Sequence, residues 1–193
     1  MSNVAPALTL TGHYLLDSAH SRIGFVARHA FTKVRGAFNE FEGSGYFDVD
    51  EPTKSRLELT INATSVDTRN PDRDSHLRSN DFFDMATYPH IRFVSLHVER
   101  ASATMYRVSG DLTIKEVTNA VTIDLRYTGA AVDPDDNYRI AFEGAGVINR
   151  KAWDVKRNVI RDAGGVLLST RVEIEFEVSA IKSGSEVHEL QGD

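Results

Sequence analysis

Asp17, His20 and Ser21 are the residue types of a hydrolase triad, and they lie within five positions of one another. A working triad needs the histidine between nucleophile and acid at hydrogen-bond distance, and side chains this close along one turn seldom adopt that arrangement. The chain also lacks a Gly-x-Ser-x-Gly sequence, the turn that presents the serine of many hydrolases. We therefore interpret Asp17 and Ser21 as side chains that bond local backbone groups in a turn.

Histidines are the second group with chemical potential. No pair has HExxH or His-x-His spacing, and the chain has no cysteine to complete a metal site. The sequence therefore predicts structural or surface histidines and no metal: His13, His20, His29, His76, His90, His97 and His188.

Charged residues recur between Asp67 and Asp84, where three arginines lie among acidic residues. Arginines in such a group can clamp a carboxylate or phosphate. The favoured interpretation is that these charges satisfy one another, as Asp74 and Arg78 would at helix spacing.

A short helix must position these charges. Asn70 is a good N-cap, Pro71 a good first residue, and Asp72 adds negative charge to the first turn. A helix of two or three turns is predicted near residues 71–79.

Almost everything else alternates between apolar and polar residues, as in strands with one buried face. Residues 57–63, 107–114, 121–128, 138–143 and 165–178 show this pattern, and turn signals such as Gly43-Ser44-Gly45 lie between the strands. The pattern predicts about eight antiparallel strands, which a closed barrel satisfies best because closure removes free edges. A two-sheet sandwich would give the same alternation. A barrel of this size is filled by side chains or holds one small ligand.

Composition limits the function. The chain of 193 residues has a net charge of −6 with mixed signs, which argues against nucleic-acid binding. It has no apolar run long enough to span a membrane and no signal-peptide pattern at its N-terminus, so we expect a soluble cytoplasmic protein. Monomer and homodimer both stay open.

Ordered motifs over residues 14–180 resemble the YceI-like, polyisoprenoid-binding proteins. They include Tyr14-x-x-Asp17-x-x-His20-Ser21, Arg73-Asp74-x-His76-Leu77-Arg78-Ser79-x-Asp81-Phe82-Phe83-Asp84, Tyr88-Pro89-x-Ile91-x-Phe93 and Gly110-x-Leu112-Thr113-Ile114. On this resemblance residues 13–181 form the domain, with tails at 1–12 and 182–193.

The resemblance implies an all-β, antiparallel, lipocalin-like barrel whose apolar cavity binds a long-chain polyisoprenoid, a prenylquinone or a similar amphiphilic lipid. It implies no catalytic residues and no cofactor. The side chains expected to bind the lipid are Phe25, His29, Phe38, Phe41, Leu59, Ile61, Phe82, Phe93, Leu112, Val121, Ile123, Phe142, Leu168 and Ile174. The helix segment is expected to close one mouth of the barrel, with Leu77, Phe82 and Phe83 facing inward.

Two departures from the family pattern affect turns. Glu116 follows Lys115 where relatives often have glycine, so we expect a different turn there, because a residue with a side chain adopts positive φ only at a cost. Trp153-Asp154 replaces an aromatic-glycine pair, which leaves the loop from Lys156 to Gly165 undetermined.

Two other functions stay open, since a fold does not determine a function. One is an enzyme that holds an apolar substrate near His29, Arg73 or Asp74. The other is a filled barrel that acts as an interaction module.

Overall fold

Strands make up most of the protein. The computed structural model describes residues 9–29, 31–155, 160–161, 165–166 and 168–183, with the backbone alone at 160–161 and 165–166. Within these ranges it has one α-helix, α1 (Pro71–Arg78). The strands are β1 (Gly12–Leu16), β2 (Arg22–His29), β3 (Thr32–Phe38), β4 (Phe41–Phe47), β5 (Arg56–Asn62), β6 (Val66–Asp67), β7 (His90–Arg100), β8 (Met105–Ile114), β9 (Val117–Val132), β10 (Tyr138–Asn149), β11 (Ile160–Arg161), β12 (Gly165–Val166) and β13 (Leu168–Lys182).

Eight strands form a closed antiparallel barrel in the order β1, β4, β5, β7, β8, β9, β10 and β13. The barrel closes where β13 pairs with β1, with Tyr14 opposite Lys182. Further along, β13 pairs instead with β2, where Ile174 lies opposite Phe25, and β3 and β6 extend the sheet from β2. The prediction of an all-β barrel with an inserted helix is confirmed, and the sandwich alternative is excluded.

Alternation along each strand separates the core from the solvent. Val108 on β8 and Ile123 on β9 are directly opposite each other and buried. Arg107 and Asp124, one residue away on each strand, point outward and form an ion pair at 3.0 Å. A strand has a side-chain period of two, so this register places one face of each strand on the barrel interior: Val108, Leu112 and Ile114 of β8, and Val121, Ile123 and Leu125 of β9.

The predicted helix cap is confirmed. The side chain of Asn70 accepts a hydrogen bond from the backbone N–H of Arg73 at 2.9 Å, and Pro71 starts the first turn. At the other end, the guanidinium of Arg78 donates to the carbonyl oxygens of Thr64 and Val66, both at 2.8 Å. These two bonds tie the end of α1 to the backbone around β6.

The turn predicted at Gly43-Ser44-Gly45 is wrong, because these residues lie inside β4. A Cβ at Gly43 would lie 2.9 Å from the carbonyl oxygen of Glu58, and one at Gly45 would lie 2.7 Å from that of Arg56. The glycines therefore allow β4 and β5 to approach closely, and the chain turns before β4, at Asn39 and Glu40.

The hairpin between β8 and β9 also differs from expectation. Lys115 and Glu116 both have positive φ, 52° and 64°, as a two-residue hairpin turn of the primed type requires. Glu116 thus occupies the left-handed region despite its side chain.

The last strand was predicted to begin at Gly165. In the structure β12 (Gly165–Val166) pairs with β11, and the long strand β13 starts at Leu168. It continues to Lys182, one residue past the predicted domain end. Most of the loop from Lys156 to Gly165 lies outside the described residues.

Candidate functional site

The barrel is hollow. It encloses a cavity of about 710 Å³, a volume inside the range of about 300–1,000 Å³ typical of small-ligand sites. On β10 the lining extends from Ile140 to Ile148. With a rise of about 3.3 Å per residue and a strand tilt of about 40°, this corresponds to about 20 Å along the barrel axis.

Side chains that face the interior are nevertheless only partly buried. Phe25, Val121, Phe142 and Ile174 all line the cavity, and all have intermediate exposure. They have the inward parity of their strands, so the accessible part of each side chain faces the cavity. The inner surface is therefore largely apolar and lacks the neighbours that a filled core would provide.

Aromatic rings close one end of the cavity. Phe47 and Phe142 have ring centroids 5.5 Å apart, and Tyr106 packs edge-on against Phe47 at 5.3 Å. Tyr127 adds a further edge contact to Phe142 at 5.6 Å. Edge-to-face packing of this kind is favourable beyond the area it buries. These four residues are called the aromatic floor below.

Tyr14 seals the barrel beside the aromatic floor. It is 4% exposed, and its hydroxyl donates to the carbonyl oxygen of Leu10 at 2.7 Å. Burial, reinforced by the nearby Tyr138 and Tyr127, raises the pKa of Tyr14 to about 12. The residue is therefore a neutral hydrogen-bond donor at physiological pH.

The opposite end is polar and reaches the surface. Its lining includes the exposed residues His29 and Thr32 of the β2–β3 hairpin, and Asp72, Arg73 and His76 of α1. We call this end the mouth. Leu77 and Phe82, which also line the cavity, turn the apolar side of the helix segment inward. The expected position of this segment at one mouth of the barrel agrees with the structure.

The charges of the helix segment brace one another less than predicted, with His76 paired to Asp81 at 3.4 Å, and they tie α1 to the sheet as predicted, through Arg78 and Val66 of β6. Asp74 is buried, and one of its carboxylate oxygens accepts from the backbone N–H of Thr68 at 2.9 Å and from its hydroxyl at 2.5 Å. Arg73 also binds Thr68, at the hydroxyl (2.6 Å) and at the carbonyl oxygen (2.8 Å). Among the described residues no ion pair joins Asp74 to Arg78. The helix is held by Thr68 and by main-chain carbonyls.

Thirteen of the fourteen predicted ligand-binding residues line the cavity. Phe41 is the exception, because it lies at the start of β4, beyond the cavity wall, where its ring packs against the core cluster. The thirteen are Phe25, His29, Phe38, Leu59, Ile61, Phe82, Phe93, Leu112, Val121, Ile123, Phe142, Leu168 and Ile174.

Other residues that line the cavity were not predicted from the sequence. Leu125 and Phe176 lie on the same strand faces as predicted lining residues, so parity alone would have found them. Phe47 lies beyond the turn wrongly predicted inside β4, so parity could not find it. Tyr106 begins the inward series of β8. Leu77, Phe82 and Phe83 line the cavity, as expected for the helix segment, whereas nothing in the sequence showed that His76 faces the cavity.

Asp17, His20 and Ser21 do not form a triad. The Ser21 hydroxyl exchanges hydrogen bonds with the backbone of Ser179 at 3.2 and 2.9 Å. Asp17 bonds Ala19 N–H, His20 Nδ1 and the guanidinium of Arg139. The predicted local turn bonding is confirmed for Asp17, which also binds the distant Arg139, and is wrong for Ser21, whose partner Ser179 lies on β13.

Arg139 bridges two carboxylates at the closed end. Besides Asp17 it binds Asp133 through Nε at 2.5 Å. The hydrogen bond from Arg139 lowers the pKa of Asp17 to about 2, with smaller contributions from His20 and Ala19. Arg139 is also the main cause that holds the pKa of Asp133 well below its usual range. This cluster ties the β1–β2 turn to the β9–β10 loop.

Arg150 and Trp153 organise the wall near the mouth. Arg150 is 5% exposed and donates to the carbonyl oxygens of Val155 and Ser169 at 2.6 and 2.9 Å. The indole N–H of Trp153 donates to the carbonyl oxygen of Leu112 at 2.8 Å. Asp154 follows with φ of 57°, the left-handed conformation that glycine would adopt more easily.

Nowhere in the described residues do three or more His, Asp or Glu side chains lie together in a group that could hold a metal ion. Over the same part of the chain, no helix has the length and apolar character needed to cross a membrane.

A closed eight-stranded antiparallel barrel around one apolar cavity is the architecture of barrels that bind small apolar molecules. The sequence profile of the YceI-like domain family matches residues 14–180. The chain belongs to this family.

Relatives from several bacteria agree with this assignment. A UPF0312 protein of Photorhabdus laumondii is 35% identical over 153 residues, which cover 78% of this chain and 79% of the relative. A UPF0312 protein of Staphylococcus aureus is 34% identical over 176 residues, covering 90% of this chain and 99% of the relative.

Solved structures share the fold. BcnA of Burkholderia cenocepacia aligns with a TM-score of 0.76 at 26% identity, over 85% of this chain and 98% of BcnA. A structure from Saccharophagus degradans, described as a polyisoprenoid binding domain, aligns with a TM-score of 0.66 at 17% identity, over 90% of this chain and 99% of that domain. At this identity the second comparison shows the fold alone.

Proposed function

We propose that the cavity binds the apolar chain of a long-chain polyisoprenoid, a prenylquinone or a similar amphiphilic lipid, and that the protein carries or stores this lipid without transforming it. The observation that carries the proposal is the apolar cavity of about 710 Å³, closed at one end by aromatic rings and polar at the other. Family membership supports it, as does the shared fold with a domain described as polyisoprenoid-binding.

The dimensions suit a lipid chain. The hydrocarbon core of a bilayer is about 30 Å thick, so one leaflet is about 15 Å deep. A cavity about 20 Å long accepts a chain that fills one leaflet. Each methylene transferred from water into this surface gains about 0.8 kcal/mol, although ordering a flexible chain offsets part of the gain.

The polarity of the cavity orients the ligand. The aromatic floor offers little to a polar group, whereas Arg73, His76 and Thr32 line the mouth. Arg73 uses Nε and Nη2 to bind Thr68, which holds its guanidinium at the cavity edge. In this proposal the chain enters tail first and the head group stays beside α1.

No observation favours catalysis over binding. The carboxylate oxygen of Asp74 that lies nearest Thr68 already accepts two hydrogen bonds from it, so Asp74 is poorly placed as a base. The hollow interior also disfavours the filled-barrel alternative.

Organic extraction of the purified protein, followed by mass spectrometry, tests the proposal. We expect a prenyl-type lipid in the extract, or stoichiometric uptake of an added prenyl lipid by protein stripped of ligand. Repeated clean extracts together with no uptake of added prenyl lipids would refute it. A turnover of the bound lipid that His29→Ala abolishes would instead show an enzyme.

A further inference from the structure

The tip of the β2–β3 hairpin carries a fully exposed aromatic residue. The ring of Phe31 is 100% exposed, more than any other large apolar side chain of the described residues. Single apolar residues on a surface are common, but an aromatic ring with no neighbour at the end of a hairpin gains nothing from its position in the isolated protein.

Two positive charges flank this ring. Arg28 lies directly opposite Lys33 in the hairpin register, and both side chains are exposed on the outer face. Like charges directly opposite each other on antiparallel strands are destabilising. Among the ion pairs of the described residues, none gives Arg28 or Lys33 an acidic partner, whereas Arg35 further down the hairpin binds Glu175 at 3.1 Å. Within the part of the chain that the structure describes, the tip therefore keeps an uncompensated basic pair.

The tip lies at the mouth of the cavity. His29 and Thr32, which flank the hairpin turn, pair with each other and line the cavity. A surface that contacts Phe31, Arg28 and Lys33 would consequently lie next to the polar end where a lipid head group is proposed to sit. The chain as a whole has a net charge of −6, so an anionic surface repels most of the molecule and attracts this tip.

We propose that Phe31, Arg28 and Lys33 form a docking tip that binds the surface of an anionic lipid bilayer and brings the cavity mouth against the membrane. The ring enters the boundary between head groups and acyl chains, and the two cations interact with anionic head groups. This inference rests on the proposed function, because it assigns the membrane as the direct source and acceptor of the bound lipid.

Vesicle co-sedimentation tests the docking tip. Wild type, Phe31→Ser, the double variant Arg28→Gln with Lys33→Gln, and Leu96→Ser are compared on phosphatidylcholine vesicles and on mixed phosphatidylcholine–phosphatidylglycerol vesicles. Leu96 is the matched control, since it is a 60% exposed apolar residue on β7.

We expect wild type to bind the mixed vesicles more tightly than the neutral ones, and added salt to weaken this binding. Phe31→Ser lowers the partition coefficient roughly tenfold to a hundredfold, from the transfer free energy of an aromatic side chain. The double variant lowers it roughly tenfold on mixed vesicles only, and Leu96→Ser leaves it unchanged.

Fluorescence gives a second readout. Trp153 is the only tryptophan of the chain and is 3% exposed, so it should respond little to vesicles. In Phe31→Trp the added indole should shift its emission to shorter wavelength when mixed vesicles are added. Wild type provides the blank.

Uptake of a prenyl lipid delivered from detergent micelles separates the two proposals. If all variants take up this lipid equally and only the tip variants lose vesicle binding, both stand. If no variant takes up lipid, the cavity proposal fails while docking is judged from the vesicle data alone. Docking is overturned if wild type ignores mixed vesicles or if Leu96→Ser weakens binding as much as Phe31→Ser.

Discussion

Filling the cavity from its wall tests the lipid site most directly. Val121 lines the cavity on β9 and is only half-buried, so a larger side chain can extend into open space instead of straining the core. We therefore expect Val121→Trp to fold normally and to lose ligand. Thr122→Trp is the matched control, because Thr122 is the next residue, exposed on the outer face beside Ser109.

The expected loss follows from the cavity volume. About 710 Å³ has room for at least about two dozen groups of water size, at about 30 Å³ each. Tryptophan adds about seven heavy atoms to valine and displaces a similar number of ligand carbons, worth about 5 to 6 kcal/mol at about 0.8 kcal/mol each. If the ligand recovers half of this by sliding toward the mouth, the remaining loss of about 3 kcal/mol still raises the dissociation constant more than a hundredfold.

Titration with a prenyl lipid, read by mass spectrometry of the complex, measures this difference. Thr122→Trp should bind like wild type, which separates cavity filling from the effect of an added indole on the sheet. Thermal unfolding of both variants confirms that they fold. Equal binding by Val121→Trp and Thr122→Trp would show that the ligand does not occupy the barrel.

Three further predictions concern stability and ligand exchange. Glu116→Gly should stabilise the protein by about 1 kcal/mol and raise the Tm by about 2 to 4 °C, because glycine adopts φ of 64° without a steric cost. An unchanged or lower Tm would contradict this prediction. The pKa of Asp17 is lowered from 3.8 to about 2, so the stability it contributes is complete above about pH 4 and is lost as the pH falls toward 2. Denaturant unfolding should thus show Asp17→Asn less stable than wild type at pH 6, with the difference shrinking between pH 4 and pH 2, whereas a constant difference would rule out this linkage. Asn70→Ala removes the cap of α1, worth about 1 kcal/mol, and should speed ligand release in a transfer assay up to about fivefold. The control Asn137→Ala, in the loop at the closed end, should leave the release rate unchanged. Equal release rates for the two variants would show that α1 is not a gate.

Strand faces were predictable because the period of a strand is geometric. Once Leu112 or Ile123 is known to face inward, every second residue follows. The alternation rule did not place Phe41 on β4, because a turn was predicted inside this strand at Gly43-Ser44-Gly45. It could not show that the cavity ends before the start of this strand, since the axial position of each residue depends on the tilt and stagger of the whole barrel.

The hollow interior was not predictable from alternation. Val121 and Val108 both occupy apolar positions of an alternating strand pattern in the sequence. In the structure, however, Val108 is 1% exposed, whereas Val121 remains accessible from the cavity. The difference arises from how far the opposite wall lies, which strand number and shear determine. Only the resemblance to a family pointed to a cavity.

The charges of α1 were misassigned for a related reason. Sequence spacing pairs Asp74 with Arg78, but the structure gives Asp74 to Thr68 and Arg78 to two carbonyl oxygens. A sequence does not show which main-chain carbonyl oxygens accept hydrogen bonds from a side chain. The long-range contact of Arg139 with Asp17, 122 residues apart, was equally beyond local reasoning.

The two ends of the barrel differ in the hydrogen bonds and packing contacts that keep them closed. This difference determines through which end a ligand passes. The aromatic floor belongs to four barrel strands, so opening it requires separating strands that carry the barrel's hydrogen bonds. The mouth is covered by one eight-residue helix, whose attachment rests on Thr68, on the carbonyls of Thr64 and Val66, and on the packing of Leu77 and Phe82. A protein opens locally at the element that is held by the fewest hydrogen bonds and packing contacts. Ligand should therefore enter and leave past α1, beside the docking tip, and the closed end should stay intact during exchange.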